Sequence, residues 1–340
     1  MEHLLGMTLE ELKVVASQVS LPTYAAKQIA DWLYKKKIKS VDQMTNISAA
    51  KREFLSRHYD IGSTPPIESM QSSDGTIKYL FAAGDGSRFV ESVYIPSKDR
   101  ATLCVSSQVG CKMNCYFCMT GKSGFSAQLT ANDIINQIQS LPENNELTNV
   151  VFMGMGEPLD NTGELFKVLE ILTSPYGYAW SPKRVTVSTV GILPGLKRFL
   201  NESECHLAIS LHSPYHEERL SLIPVEKVYH IDSIINLLHD YDFSHQRRVS
   251  FEYIMFDGLN DTERHAKDLS RLLKGLDCRV NLIKFHSIPG VDLRSSSERN
   301  IENFRDTLNS LGITCTIRAS RGEDIFAACG MLSTTKNNKK

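Results

Sequence analysis

Three cysteines close together carry the clearest chemical potential in this sequence. Cys111, Cys115 and Cys118 are spaced CxxxCxxC, so one tight loop can bring three thiolates to a single inorganic centre. A closed structural zinc site uses four ligands, whereas three cysteines on a cluster of four irons leave one iron open to bind another molecule. The spacing favours the iron–sulfur cluster. A zinc loop that borrows a distant histidine or cysteine is the alternative.

Phe117 stands directly before the last of these cysteines. With it, the loop resembles the signature of the radical S-adenosylmethionine (SAM) superfamily. That resemblance implies one [4Fe-4S] cluster whose open iron chelates the amino and carboxylate groups of SAM.

The bulk composition is typical of a soluble globular protein. The chain has 340 residues, 41% of them hydrophobic and 23% charged, enough for one large domain and a small one. No apolar run approaches the length of a membrane span, and the acidic, amphipathic N-terminus does not resemble a secretory signal. Eight cysteines in such a chain are typical of cytosolic thiols, so we expect a cytoplasmic protein. The net charge of −1 means that any basic nucleic-acid-binding surface must be local.

The first 60 residues read as helical. Thr8 and Glu11 form a capping-box pattern ahead of an apolar stripe, and further helices are expected over 24–38 and 48–58. The second helix ends in Lys35, Lys36 and Lys37. These lysines suit either a solvated helix end or a patch that contacts phosphates.

Residues 61–97 change to a period of two. Strands are expected over 77–82 and 88–95, with a glycine-containing turn between them. In the second strand Glu91 shares its face with apolar residues. Partial burial would raise the pKa of Glu91 and suit it to proton transfer. An edge-strand glutamate that reaches solvent is the alternative.

From residue 100 the pattern alternates strand and helix. Strands are predicted over 102–106, 149–153, 184–189, 206–211, 250–255, 279–285 and 313–318. The helices between them are predicted over 131–141, 164–172, 193–200, 231–239, 261–273 and 298–311. Short apolar strands alternating with helices imply a parallel sheet with helices outside, so the fold class is α/β, a partial (βα)6 barrel. In such barrels the active site lies at the C-terminal ends of the strands, and the cysteine loop follows the first strand.

Small and polar residues follow the later strands. Gly156 permits close backbone approach to a ligand, and Glu157 is able to accept a hydrogen bond from an ammonium group. The next two strands end in short polar stretches that suit ribose hydroxyls and a carboxylate, at Ser188 and at Ser210, Leu211 and His212. Each stretch alone is also typical of turns, and their succession at consecutive strand ends strengthens the binding interpretation.

Two further cysteines, Cys104 and Cys329, stand apart from the loop. Free cysteine packs as a small hydrophobe, which is the simpler interpretation for both and the one we take for Cys205, Cys278 and Cys315. The small residues around Cys329 favour a functional role there.

The chain resembles the RlmN/Cfr family of radical SAM rRNA adenine methyltransferases. The match runs over nearly the whole sequence. It is most specific in the stretches 104–121, 153–158, 188–191, 210–212 and 321–330. The resemblance implies four parts: a helical RNA-binding accessory domain over 1–60, a β extension over 61–96, the radical SAM core over 97–320, and a catalytic cysteine segment with a polar tail over 321–340.

The resemblance also implies a mechanism. A first SAM methylates Cys329, and a second SAM is cleaved to a 5′-deoxyadenosyl radical that takes a hydrogen atom from that methyl group. The methylene radical adds to an adenine ring carbon and links protein to RNA. Glu91 matches the position that accepts the ring proton. Cys104 then attacks Cys329, so that the methylated base is released as a disulfide forms, a transient catalytic one of the kind expected in the cytosol.

The implied substrates are an adenine of 23S rRNA at the peptidyl transferase centre and the adenine 3′ of the anticodon in some tRNAs. Carbon 2 is the expected target, with Cfr-type methylation of carbon 8 as the alternative. The implied SAM contacts include His286, which stands where the family usually has asparagine. A flavodoxin-like electron donor, a monomeric state and no membrane association are also expected. The remaining alternatives are a radical SAM enzyme with another substrate and a zinc-loop RNA-binding module without catalysis.

Overall fold

One mixed sheet runs through most of the chain. The computed structural model describes residues 1–243 and 249–333, so the tail 334–340 of the predicted C-terminal segment lies outside the described residues. The described strands are β1 (Glu2–His3), β2 (Tyr59–Asp60), β3 (Glu68–Gln71), β4 (Ile77–Ala83), β5 (Arg88–Ser97), β6 (Arg100–Cys104), β7 (Gln108–Gly110), β8 (Phe125–Gln128), β9 (Asn149–Phe152), β10 (Val185–Thr189), β11 (His206–Ser210), β12 (Val249–Met255), β13 (Cys278–Lys284) and β14 (Thr314–Ile317).

Helices connect the strands and cover the sheet. The described α-helices are α1 (Leu9–Gln18), α2 (Ala25–Ala30), α3 (Ala49–His58), α4 (Met119–Lys122), α5 (Ala131–Gln139), α6 (Thr162–Thr173), α7 (Leu193–Glu202), α8 (His216–Leu222), α9 (Ile231–His239), α10 (Glu263–Leu272) and α11 (Glu298–Ser310). None of the helices within the described ranges is long and apolar enough to cross a membrane.

The sheet confirms the predicted fold class. Within the described residues it has ten strands, in the order β14-β13-β12-β11-β10-β9-β6-β5-β4-β3. All neighbours from β6 to β14 are parallel, and helices cross between them, as in a partial (βα)6 barrel. The strand interiors are apolar and buried because helices cover one face and the barrel interior the other.

The hairpin before the barrel continues the same sheet. β5 pairs antiparallel with both β4 and β6, so it is an interior strand. Glu91 lies opposite Leu80 and is 7% exposed. The alternative of a solvent-facing glutamate on an edge strand is therefore wrong.

The N-terminal helices pack against the barrel. α1 begins with the predicted capping box, in which Thr8 and Glu11 cap each other. The predicted second helix is α-helical only to Ala30 and then widens into a π-turn over Asp31–Lys35. After this turn the Lys37 ammonium donates to the side chains of Asn144 (2.5 Å) and Asn145 (2.7 Å) on the barrel. Directly after the π-turn, Lys37 therefore joins the N-terminal helices to the barrel.

Candidate active site

A cavity opens at the C-terminal ends of the parallel strands. Ten residues singled out from the sequence line it: Cys104, Cys111, Cys115, Cys118, Gly156, Glu157, Ser188, Ser210, His212 and Cys329. Three others, Glu91, Leu211 and His286, do not line this cavity. The parallel sheet therefore gathers residues up to 225 positions apart onto one surface.

The cysteine loop is shaped by close backbone contacts. Gly110 has φ +75°, and a side-chain carbon there would lie 1.7 Å from the carbonyl oxygen of Gly124, so only glycine fits. The Cys111 amide donates to that same carbonyl (3.0 Å), and the Tyr116 amide donates to the Leu222 carbonyl (2.9 Å). These backbone bonds hold the loop in place at the cavity.

The three loop thiols have the chemistry of cluster ligands. Burial raises the pKa of Cys111 to about 12 and that of Cys115 well above its ordinary value, and the neighbouring cysteines raise both further. Thiols of this kind give up their protons when a metal ion binds to the sulfur. Among the described residues, the three sulfurs do not all lie within 4.8 Å of one another. A single tetrahedral zinc ion, with bonds of about 2.3 Å, needs sulfurs about 3.8 Å apart. The wider arrangement fits a polynuclear cluster.

Glu157 joins two strand ends on the cavity wall. Its carboxylate accepts hydrogen bonds from the Leu159 and Val190 amides, both at 3.0 Å. Burial raises the pKa of Glu157 to about 7, although these hydrogen bonds oppose the rise. Gly156 beside it has φ +100°, and a side-chain carbon there would lie 2.5 Å from Gln108. The wall therefore presents a buried carboxyl group beside open backbone, which suits the ammonium group of SAM.

His212 presents a neutral ring to the cavity. Its Nδ1 accepts a hydrogen bond from the Ile254 amide (3.0 Å), so the proton lies on Nε2. Burial lowers the pKa of His212 to about 3, and the Phe117 ring packs edge-on against it with centroids 4.8 Å apart. His212 is therefore a fixed hydrogen-bond donor at this wall.

Arg219 organises the wall from behind, and sequence reasoning missed it. This fully buried side chain on α8 donates to the carbonyls of Val190 (2.7 Å), Ser210 (3.1 Å) and Leu211 (3.1 Å) and forms an ion pair with buried Glu226. It binds the ends of β10 and β11 together. An arginine in a charged helical stretch is normally expected to face solvent, so no local sequence pattern predicts this role.

Cys104 and Cys329 face the cavity as free thiols. Burial raises the pKa of Cys104 to about 12, and Cys329 is near enough to raise it further. Burial also raises the pKa of Cys329, which Arg318 partly offsets. The Cys329 side chain lines the cavity and is accessible to solvent there. Arg318 pairs with Glu252 at 3.0 Å, and both of these charged residues were missed from the sequence.

The segment that carries Cys329 forms part of the cavity lining, through residues 327–330 and Leu332. Asp324 accepts hydrogen bonds from the Ser72 hydroxyl (2.5 Å) and the Ser73 amide (3.0 Å). On the other side of the cysteine, the Gly330 carbonyl accepts from the Met119 amide (2.8 Å) in α4. The segment is thus attached at one end to the β3–β4 turn and at the other to the cluster loop.

Glu91 lies behind this segment, in a neighbouring cavity lined also by Lys78, Phe326 and Ser333. Its carboxylate pairs with the Lys78 ammonium (3.2 Å) and accepts from the Ser333 amide (2.9 Å). Burial raises the pKa of Glu91, and Lys78 partly counters that rise. The predicted burial and raised pKa are both present.

The other two predicted site residues, His286 and Leu211, lie outside both cavities. His286 is buried, and its ring contacts the Ser320 hydroxyl (2.9 Å) and the Glu323 carboxylate (3.1 Å), at the start of the Cys329 segment. Leu211 is buried, and its amide donates to the Glu252 carbonyl (3.0 Å). The predicted contacts of both residues with SAM stay predictions.

Comparison with known proteins agrees with the fold and the cavity. Residues 105–269 match the model of the radical SAM superfamily, and residues 2–61 match the model of the ribosomal RNA large subunit methyltransferase N-terminal domain. A crystal structure of a radical SAM methyltransferase from Sphaerobacter thermophilus superposes with a TM-score of 0.91 at 38% identity, covering 98% of this chain and 99% of the other. The fold and the site therefore define a radical SAM methyltransferase, which uses a [4Fe-4S] cluster and SAM.

Curated relatives narrow this class. A probable dual-specificity RNA methyltransferase RlmN from Parabacteroides distasonis is 72% identical and covers 98% of this chain and 97% of its own. The dual-specificity RNA methyltransferase RlmN from Halorhodospira halophila is 40% identical, with 97% and 93% covered. The chain belongs to the RlmN family of radical SAM RNA methyltransferases, and its substrate class is RNA.

Proposed function

We propose that this enzyme methylates carbon 2 of an adenine in 23S rRNA and of the adenine 3′ of the anticodon in some tRNAs. The observation that most supports this is the shared cavity of Cys104, Cys329 and the three loop cysteines. Two thiols beside the cluster ligands match the methyl carrier and the resolving sulfur that this reaction requires. The relatives named dual-specificity RNA methyltransferases support the two RNA substrates.

Carbon 2 of adenine is electron-poor, so direct methyl transfer from SAM to it is unfavourable. The loop cysteines would hold the cluster, and the wall residues Glu157, Ser188, Ser210 and His212 would hold SAM. Together the two groups would supply the one-electron chemistry that removes a hydrogen atom from a methyl group. Cys329 provides that methyl group because its sulfur first accepts one from SAM. The methylene carbon held by Cys329 then bonds to carbon 2, which links the protein to RNA.

Two residues complete the reaction. The adduct loses one electron, for which the bound cluster would be the acceptor, together with its ring proton, which Glu91 accepts. The Cys104 sulfur then attacks the Cys329 sulfur, forming a disulfide and breaking the bond from Cys329 to the methylene carbon. That carbon keeps the electron pair and takes a proton to become the methyl group. A thiol reductant returns both cysteines to their starting state.

Electrostatics around the two thiols fit this order. The Arg318 guanidinium lowers the pKa of Cys104 and of Cys329 against the larger effect of burial, so it stabilises whichever sulfur becomes a thiolate. The pairing of Arg318 with Glu252 holds the guanidinium beside both. His286 is proposed as a further contact to the adenine part of SAM.

The N-terminal helices are proposed to grip RNA by its shape and phosphates. Lys35 and Lys36 are half-exposed at the helix end. Their ammonium groups lie 3.7 and 3.6 Å from one carboxylate, that of Asp31, so the local charge is positive. A cytoplasmic location, a monomeric state and a flavodoxin-like electron donor complete the proposal.

A trapped intermediate tests the mechanism. Cys104→Ala protein, produced in bacteria and purified without oxygen, is expected to carry RNA covalently bound at Cys329, because release needs the Cys104 sulfur. Mass spectrometry of the cross-linked fragment identifies the RNA and the ring carbon, and a bond at carbon 8 would favour the Cfr-type reaction. The control is Cys205→Ala, which alters a buried cysteine outside the cavity. A cluster-loaded Cys104→Ala protein that never carries RNA, beside an active wild type, would disprove the two-cysteine mechanism.

A further inference from the structure

A second group of metal-ligating side chains lies behind the cavity wall. His216 begins α8, Glu226 lies in the short turn Pro224–Lys227, and His230 precedes α9. His216 Nδ1 is 3.0 Å from Glu226 Oε1 and 3.0 Å from His230 Nδ1, and the third separation, from His230 Nδ1 to Glu226 Oε1, is 3.8 Å. Methyl transfer as described above uses none of the three.

These separations fit one metal ion. A tetrahedral ion with bonds of about 2.0 Å has ligand atoms about 3.3 Å apart, a value between the 3.0 and 3.8 Å found here. Three donors on one face of an ion leave a further position for water.

The two imidazole rings are also oriented toward a common point. A straight hydrogen bond between two ring nitrogens at this separation would place the ring centroids about 5.3 Å apart. At the observed nitrogen separation of 3.0 Å, bonds of about 2.05 Å to one shared ion would meet at an angle of about 94°, narrower than tetrahedral, and would place the centroids about 4.7 Å apart. The centroids of His216 and His230 are 4.6 Å apart, so the geometry favours the shared ion.

The carboxylate is held as a metal ligand requires. Glu226 is fully buried, and Arg219 binds its Oε2 while the Ile231 amide donates to its Oε1 (3.0 Å). Such outer contacts orient a ligating carboxylate and are typical of built metal sites. Imidazole together with carboxylate suits zinc and related divalent transition ions.

We propose that His216, Glu226 and His230 bind one divalent first-row transition metal ion, with zinc as its representative. The ion joins three successive chain segments. Through Glu226 and Arg219 it supports the carbonyls of Val190 and Ser210 at the ends of β10 and β11. The site is structural, and it braces the wall of the cofactor cavity from outside.

Metal content of the cluster-loaded enzyme tests this proposal. Holding the cluster occupies the loop cysteines, so zinc bound after exposure to zinc sulfate and gel filtration reports other sites. We expect one zinc per chain beside an unchanged iron content. His216→Asn and His230→Asn should each lower zinc retention at least tenfold, whereas His239→Asn, an exposed histidine on the same α9, should keep it.

X-ray absorption at the zinc edge distinguishes the possible ligands. Scattering from nitrogen and oxygen only, lost in the two histidine variants, would support the site. A sulfur contribution would place zinc on cysteines and overturn the proposal. Failure of the wild type to retain zinc, or equal retention in all three variants, would overturn it as well. Since zinc content is measured without RNA, these results do not depend on the methylation chemistry.

Discussion

The cavity wall and the segment that carries Cys329 face the same space but are held in different ways. The wall is made of strand ends whose polar groups are buried and paired, at Glu157, His212 and Arg219. The segment from Gly322 to Ser333 has one turn of helix and left-handed backbone at three residues: Gly322, Phe326 and Gly330. Hydrogen bonds at Gly322, Asp324, Gly330 and Ser333 attach it to neighbouring elements, and it pairs with no described strand of the sheet.

This difference suits the two tasks. A cofactor that must react by radical chemistry needs a wall that is already in place, and buried, fully paired polar groups provide rigidity. Cys329 is proposed to meet a methyl donor, a hydrogen-atom acceptor, an adenine and Cys104 in turn. A segment with a single helical turn and no pairing to the described strands is expected to be less stable locally than the paired strand ends of the wall, so it can adjust between these partners while the wall stays fixed.

The largest effect is expected from replacing Cys329, and a comparison with Cys115 distinguishes loss of the reacting sulfur from loss of the cluster. Cys329→Ser should lower RNA methylation on the order of a thousandfold or more, because no methyl group can be carried, yet keep the iron content of the wild type. Cys115→Ala should lose iron and methylation together. Iron analysis and mass spectrometry of the RNA measure both. If Cys329→Ser methylates RNA at a rate near that of wild type, the segment has no covalent role.

Replacing Arg219, which organises the cavity wall, should mainly reduce the stability of the fold. Arg219→Met leaves the Glu226 carboxylate buried without its partner and should reduce the free energy of unfolding by about 3–5 kcal/mol. Urea unfolding of the cluster-free chain measures this loss. Arg198→Met, which breaks an exposed pair with Glu202, is the control and should change little. An equal effect of the two substitutions would mean that Arg219 does not organise the wall.

The fold was predictable because its elements carry strong local patterns. α9 has the predicted bounds, Ile231–His239, and β12 differs from its prediction by one residue. Buried parallel strands read as short apolar runs, and amphipathic helices between them show a clear period. Once strands alternate with helices, the loops after the strands must share one edge of the sheet. That rule alone gathers Cys111, Glu157, Ser210 and the other cavity residues.

The missed parts depend on contacts that no local pattern encodes. Arg318 meets Glu252 across 66 positions of sequence, and Arg219 is buried only because the ends of two strands offer it carbonyls. The π-turn over Asp31–Lys35 interrupts a sequence with good helical periodicity throughout. Tertiary contacts decide each of these, so they emerge only with the assembled fold.

A change of pH tests the proposed base, Glu91, next to the segment that carries Cys329. Lys78→Met removes the charge that counters burial and should raise the pKa of Glu91 further. Since the proposed base acts as a carboxylate, the acidic limb of the single-turnover pH profile should move to higher pH, with a several-fold loss of rate near neutrality. RNA-linked protein should accumulate at low pH, which mass spectrometry detects.

The same shift has a consequence for stability. The pKa of Glu91 is raised on folding, so its contribution to stability is complete below the pKa of about 4.5 typical of the unfolded chain and is lost as pH rises through the folded value. Lys78→Met should therefore deepen the loss of stability at neutral pH. Lys13→Met, on the distant helix α1, should leave both profiles unchanged. A pH profile of Lys78→Met that matches the wild type would remove Glu91 as the base.

The smallest expected effect concerns the attachment of the segment itself. Asp324→Ala removes the acceptor of the Ser72 and Ser73 hydrogen bonds but leaves the contact of Gly330 with α4. Because the hydrogen bonds at Gly322, Gly330 and Ser333 remain, we expect turnover to fall only about three- to tenfold, a loss of positioning and not of chemistry. Iron content should not change, since the wall and the loop are untouched. Asp306→Ala, which breaks an exposed pair with Arg305, is the control. If Asp324→Ala lowers iron content as much as turnover, segment and wall are one cooperative unit, and the contrast between them fails.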